Sequence, residues 1–182
     1  MKKKVFLGFL GFFVIVVGFM AYSVLTTRSH SPLEEVSESA NGLDVSVSYC
    51  RPYKKGRLIF GDEANDALVP HGKYWRLGAN DATEITFSKP VTFGGQAVDA
   101  GSYRMYAVPN ADSWKITLNS ELGEFGFFEP NYDLDVVSID APTTATGGEV
   151  EQFTITLNPT GAGMGLEFSW DNTKVVVPIA AQ

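Results

Sequence analysis

The chain has 182 residues, and its 14 Lys and Arg against 21 Asp and Glu leave a net charge of −7. Lys2, Lys3, Lys4 and Arg28 all precede the first acidic residue, Glu34, so beyond it ten basic residues face all 21 acidic ones. A surface of that sign repels phosphates and anionic headgroups, which disfavours a nucleic-acid partner. Cys50 is the single cysteine, so no intrachain disulfide can form.

Residues 1–4 are a basic start, and the run Val5–Leu25 that follows carries no charge. A bilayer core of about 30 Å is crossed by roughly 20 apolar residues in a helix, and residues 5–25 meet that length. The lysines ahead of it stay cytoplasmic, so this reads as a transmembrane signal anchor with everything after it on the periplasmic, extracytoplasmic side of an inner membrane. A cleavable signal peptide is the other reading, with Ala21 and Ser23 as small residues ahead of a cut and an exported product. Residues 26–42 are polar, with serines, Pro32 and Asn41, and read as a spacer; a short helical turn around Leu33–Val36 is conceivable there.

From Leu43 to the end at 182, period-2 patterning predicts strands. Leu43, Val45, Val47 and Tyr49 alternate with Asp44, Ser46 and Ser48. Ile85 and Phe87 form the core side of a second strand. Val91 and Phe93 lead through Gly94-Gly95 into Gln96–Val98, a hairpin signal. Tyr103, Met105 and Ala107 make another strand, as do Trp114, Ile116 and Leu118. A shorter one holds Val136, Val137 and Ile139, and Thr143–Gly148 reads as a loop. Phe153, Ile155 and Leu157 follow, then a loop at Asn158–Gly163, then Leu166, Phe168 and Trp170. A turn at Asp171-Asn172 leads into Lys174–Ile179. Many short strands with Gly, Pro and Asn turns predict an all-β domain, an antiparallel β-sandwich or jelly roll.

Two segments break this pattern. Tyr49–Gly61 and Val69–Thr83 gather Arg51, Lys54, Lys55, Arg57, Lys73 and Arg76, an inversion of sign within an acidic domain. The planar forks of Arg51, Arg57 and Arg76 suit carboxylate or phosphate, and Gly78, Asn80 and Thr83 suit a tight hydrogen-bonded loop.

The runs YCRPYKKGRLIFG, VPHGKYWRLGANDATEITFSK and GGQAVDAGSYRMYAVPNADSWKITLN closely resemble the domain of unknown function 2911 family. Its pattern reads roughly Y-S-R-P, K-G-R-x-I-F-G, W-R-x-G-A-N-x-A-T and A-G-x-Y-x-x-x-x-P. Arg51, Pro52, Lys55, Gly56, Arg57, Phe60, Gly61, Trp75, Arg76, Gly78, Ala79, Asn80, Thr83, Gly101, Tyr103 and Pro109 fit it. The resemblance runs from Ser31-Pro32 to Ile179. It implies an exported protein of the kind found in Bacteroidetes-type bacteria, and no particular activity. Cys50 stands where the pattern has Ser, which weakens the case for a nucleophilic cysteine.

Candidate ligand-binding residues are therefore Arg51, Lys55, Arg57, Trp75, Arg76, Asn80 and Thr83. Each has a structural alternative: salt bridges for the arginines, core packing for Trp75, turn formation for Asn80 and Thr83. A sugar platform would need exposed coplanar rings among Tyr53, Tyr74, Trp75 and Tyr106. Cys50 with His71 could pair as nucleophile and base, but no third member is legible and no catalytic residue is assigned. Gly61–Asp66 is rich in oxygen ligands but lacks a calcium-loop pattern, and no metal site or cofactor is assigned. The reading is a membrane-tethered, envelope-exposed binding or accessory module for a small anion, a glycan or an envelope protein. A hydrolase-like enzyme acting on an anionic envelope substrate and a purely structural accessory domain are the alternatives. If Arg51, Arg57, Arg76 and Asn80 converge in one pocket free of carboxylates, the anion site gains; if each is buried against an acid, the scaffold reading does.

Overall fold

The computed structural model describes residues 16–18 and 29–182. The expected membrane segment, residues 5–25, lies outside the described residues apart from 16–18, as does the basic start at 1–4. Among the described residues no helix is long and apolar enough to cross a membrane.

The chain is all-β. In order its strands are β1 (Leu33–Ala40), β2 (Leu43–Cys50), β3 (Phe60–Gly61), β4 (Val69–Pro70), β5 (Thr83–Phe87), β6 (Val91–Phe93), β7 (Gln96–Val98), β8 (Gly101–Pro109), β9 (Ser113–Asn119), β10 (Asp135–Thr160) and β11 (Gly163–Ala181). Nine of them form one hydrogen-bonded series, β1-β2-β5-β8-β9-β10-β11-β6-β7, with every neighbouring pair antiparallel. Strands β3 and β4 make a small parallel pair of their own.

The long strand β10 turns this series into two packed layers. Its first part, Asp135–Pro142, pairs with β9, and its later part pairs with β11. Register slips between Ala145 and Val150 and between Val150 and Thr154 let it bend from one layer into the other, as bulges do. Rings from the two layers then meet edge-on or tilted across the core. Tyr49 on β2 lies 5.7 Å from Phe153 on β10, Phe87 on β5 6.3 Å from Phe93 on β6, and Trp114 on β9 6.3 Å from Phe168 on β11. One core unites these side chains with the alternating apolar residues of β2, β5, β8, β9, β10 and β11, the sandwich-like packing that period-2 sequences reach when each sheet has one apolar face.

Three local expectations are corrected. The stretch read as a spacer contains β1, paired along its whole length with β2 from Leu33↔Cys50 to Ala40↔Leu43, and the helical turn at Leu33–Val36 does not form. This edge strand presents Glu35, Ser37 and Ser39 to solvent and packs only Val36 and Ala40 against the core, so its apolar period is too thin to see in the sequence. Thr143–Gly148 runs within β10 rather than forming a separate loop, because Thr143–Ala145 pair with Val175–Thr173 of β11. Asp171-Asn172 likewise stays within β11; Asp171 takes a left-handed φ of 53° there, and the strand continues.

The outward face of β8 is covered as well. Arg104 and Tyr106 are buried beneath residues 120–135. Arg104 donates to Phe128 O, donates to Tyr74 Oη at 2.7 Å, and forms an ion pair with Glu121 at 3.3 Å. Tyr106 Oη donates to Asp135 at 2.8 Å.

Candidate functional site: a basic pocket at the end of the sandwich

Residues 51–82, which connect β2 to β5, hold both basic segments. Backbone bonds staple the first to the far layer: Lys54 N–H donates to Glu151 O at 2.6 Å and Phe153 N–H to Pro52 O at 2.9 Å. Arg57 N–H closes a turn on Lys54 O at 3.1 Å, with Lys55 at a left-handed φ of 50°. The second segment is held by Trp75, which exchanges two 2.8 Å backbone bonds with Ala107 of β8.

The chain after Trp75 is tightly wound. Leu77 and Asn80 have φ of 53° and 55°, and Gly78 has φ of 153°. A Cβ on Gly78 would stand 2.6 Å from Cys50 O, so only glycine lets this loop press against the end of β2. Leu77, a side chain ill suited to that backbone region, is completely buried, and its burial offsets the strain. Thr83 Oγ1 donates to Leu77 O at 2.7 Å and closes the loop.

The seven candidate residues separate into two groups. Arg51 is a staple: it pairs with Glu34 at 3.4 Å and donates to Phe153 O at 3.1 Å and Thr154 Oγ1 at 2.8 Å. Asn80 and Thr83 are buried loop formers; Asn80 Nδ2 donates to Ser31 O at 3.4 Å, and its own carbonyl accepts from Gly126 N–H at 3.0 Å. Lys55, Arg57, Trp75 and Arg76 line a single concave pocket of about 460 Å³.

Within that pocket the cations lack acids. No Asp or Glu is among its lining residues, and Lys55, Arg57 and Arg76 form no ion pair among the described residues. Arg57 spends Nε and Nη2 on the carbonyls of Lys54 and Tyr53, which fixes the guanidinium and leaves Nη1 uncommitted. Arg76 is half-buried, and its Nε is buried with no hydrogen-bond partner. Burial holds its pKa below the usual arginine value, because desolvation disfavours the charged form. Gly126 presses on the Arg76 side chain: a Cβ there would come within 2.8 Å of Arg76 Cδ. Lys54, by contrast, points elsewhere, into Asp171 at 2.7 Å and Glu149 at 3.3 Å, and this hydrogen-bonded pairing raises its pKa.

The remaining lining includes His30, Pro52, Tyr53, Leu68, Val69 and Trp170, which the sequence does not single out as one site. Tyr53 sits inside the basic run and could have been found by adjacency. Trp170 lies on β11, far along the chain, and only the fold brings it to the lining of the pocket. Trp75 and Trp170 stack 5.9 Å apart at 18°, within a cluster that includes Phe60, Trp114 and Phe153.

The other chemistry weighed from the sequence takes a different form. Trp75 and Tyr106 are buried, and Tyr74 Oη donates to Gly126 O at 3.0 Å, so these rings form no exposed coplanar platform. The Cys50 thiol is buried and lies 3.9 Å from Asp81 Oδ2, whereas His71 Nδ1 faces Asp62 at 3.5 Å; the two do not form a nucleophile–base pair. Within Gly61–Asp66, Glu63 pairs with Lys73 at 3.3 Å, and the described residues hold no group of three metal-ligating side chains.

These features define an all-β, sandwich-like domain with a carboxylate-free basic pocket at one end. The chain belongs to the family described as Protein of unknown function (DUF2911), whose model matches residues 31–179. That span covers β1 to β11 nearly in full and contains every candidate residue. No curated protein and no solved structure matches the chain.

Proposed function

We propose that the domain is a binding module that takes a small anion, a carboxylate or phosphate group, into the pocket formed by Lys55, Arg57 and Arg76. The observation that carries this reading is Arg76, a half-buried guanidinium with a buried, unpartnered Nε in a pocket that no carboxylate lines. Buried donors are ordinarily satisfied, and a buried cation without a counter-charge is costly. An anion seated there would supply the missing counter-charge. Arg57, held by two backbone carbonyls, is pre-oriented for the same ligand, which lowers the entropy lost on binding.

The apolar run Val5–Leu25 and the lysines before it support a membrane-tethered domain on the extracytoplasmic side of the envelope. On this reading the pocket samples anions outside the cytoplasm.

The test is isothermal titration of the full chain in a non-ionic detergent with inorganic phosphate and with acetate. Saturable heat with at least one of them, lost in Arg76→Gln, supports the reading. Heat that is identical in wild type and Arg76→Gln contradicts it.

A further inference from the structure

The apolar lining of the same pocket bears on the rest of the ligand, and this inference rests on the anion reading above. Beside the cations, the lining of the cavity includes Pro52, Leu68, Val69, Trp75 and Trp170. Both indoles have spent their only donor inside the protein: Trp75 Nε1 donates to Gly78 O at 3.3 Å and Trp170 Nε1 to Glu151 O at 3.4 Å. The Tyr53 carbonyl is likewise committed, to Arg57. What Pro52, Leu68, Val69 and the two indoles turn toward a ligand is therefore carbon, most of it on Leu68, which stands 42 % exposed while Val69, Trp75 and Trp170 are buried. A cavity of about 460 Å³ is far larger than a phosphate or acetate ion needs, and falls in the range of organic ligand sites of roughly 300–1,000 Å³.

We infer that the pocket takes an organic anion with an apolar body: a carboxylate or phosphate head held by Arg76 and Arg57, and a flat ring or short hydrocarbon laid over Leu68 and the indole edges. The head supplies the counter-charge that the Arg76 guanidinium lacks. The body removes the exposed carbon of Leu68 and its neighbours from water, which gains affinity in proportion to the apolar area covered.

Three probes separate the two halves of this claim: 2-naphthoate, acetate and the uncharged 2-naphthalenemethanol, each titrated calorimetrically into the full chain in a non-ionic detergent. The expected result is naphthoate binding about tenfold or more tighter than acetate, and the alcohol about tenfold or more weaker than naphthoate. Arg76→Gln removes naphthoate binding. Leu68→Ser, a change at an exposed position that leaves the cations in place, weakens naphthoate about fivefold or more and leaves acetate within about twofold. Equal affinity for naphthoate and acetate overturns the apolar-body inference while the anion site stands. The alcohol binding as tightly as naphthoate, naphthoate binding undiminished in Arg76→Gln, or no binding by any probe overturns the inference and the anion reading together.

Discussion

Arg51 and Arg76 are the same residue type in neighbouring motifs, yet the fold gives them opposite tasks. Arg51 joins β1 to β10 through Glu34, Phe153 O and Thr154. Replacing it with Ala strands those acceptors and is expected to cost about 1–3 kcal/mol, read from urea unfolding, while anion affinity is unchanged. Arg76→Gln is expected to do the reverse: unfolding free energy equal to wild type or higher, since an uncompensated half-buried charge is removed, and anion binding lost. The sequence shows both arginines as forks in a basic run. It cannot show which one meets a carboxylate, because Glu34 reaches Arg51 only through the pairing of β1 with β2. Asn80 and Thr83 were legible as loop formers, since Asn tolerates a left-handed φ and a threonine hydroxyl readily bonds a nearby carbonyl.

At the level of the element, the site depends on a loop with no slack. Gly78→Ala forces a Cβ to within 2.6 Å of Cys50 O at a φ that L-residues rarely adopt. The expected outcome is a loss of about 2 kcal/mol or more in urea unfolding, together with weaker anion binding as the Trp75–Asn80 loop lifts from β2. The strands were readable wherever one face is buried and the other wet, as in β2 with its strict alternation from Leu43 to Cys50. They were unreadable where that contrast fails. β1 lies at an edge and carries a mostly polar sequence with no apolar alternation, and β10 reads as two strands and a loop because its middle crosses between layers with both faces partly open. The outward side of β8, with Arg104 and Tyr106, is roofed by residues 120–135, a contact between segments that local period cannot encode.

For the molecule as a whole, burial of tyrosines ties stability to alkaline pH. Tyr49, Tyr74, Tyr103 and Tyr106 all have raised pKa values, with burial the leading cause in each; Asp135 adds to it at Tyr106. Above about pH 10, the ordinary tyrosine value, the unfolded chain releases phenolic protons that the folded one keeps. Stability from this source is therefore complete below about pH 10 and declines as pH rises further. Urea midpoints taken upward from about pH 8 should stay level and then fall, with tyrosinate absorbance appearing together with unfolding. The same closed sandwich leaves its unsatisfied positive charge at one end, in a carboxylate-free cavity. The most direct measurement is the ¹H–¹⁵N resonance of the Arg76 Nε in the full chain, assigned by its loss in Arg76→Gln and followed as 2-naphthoate is added. A downfield shift with slowed proton exchange, saturating with the ligand, is the predicted result; a resonance that does not move while the ligand binds elsewhere, or that is already shifted and protected in the free protein, would contradict the account.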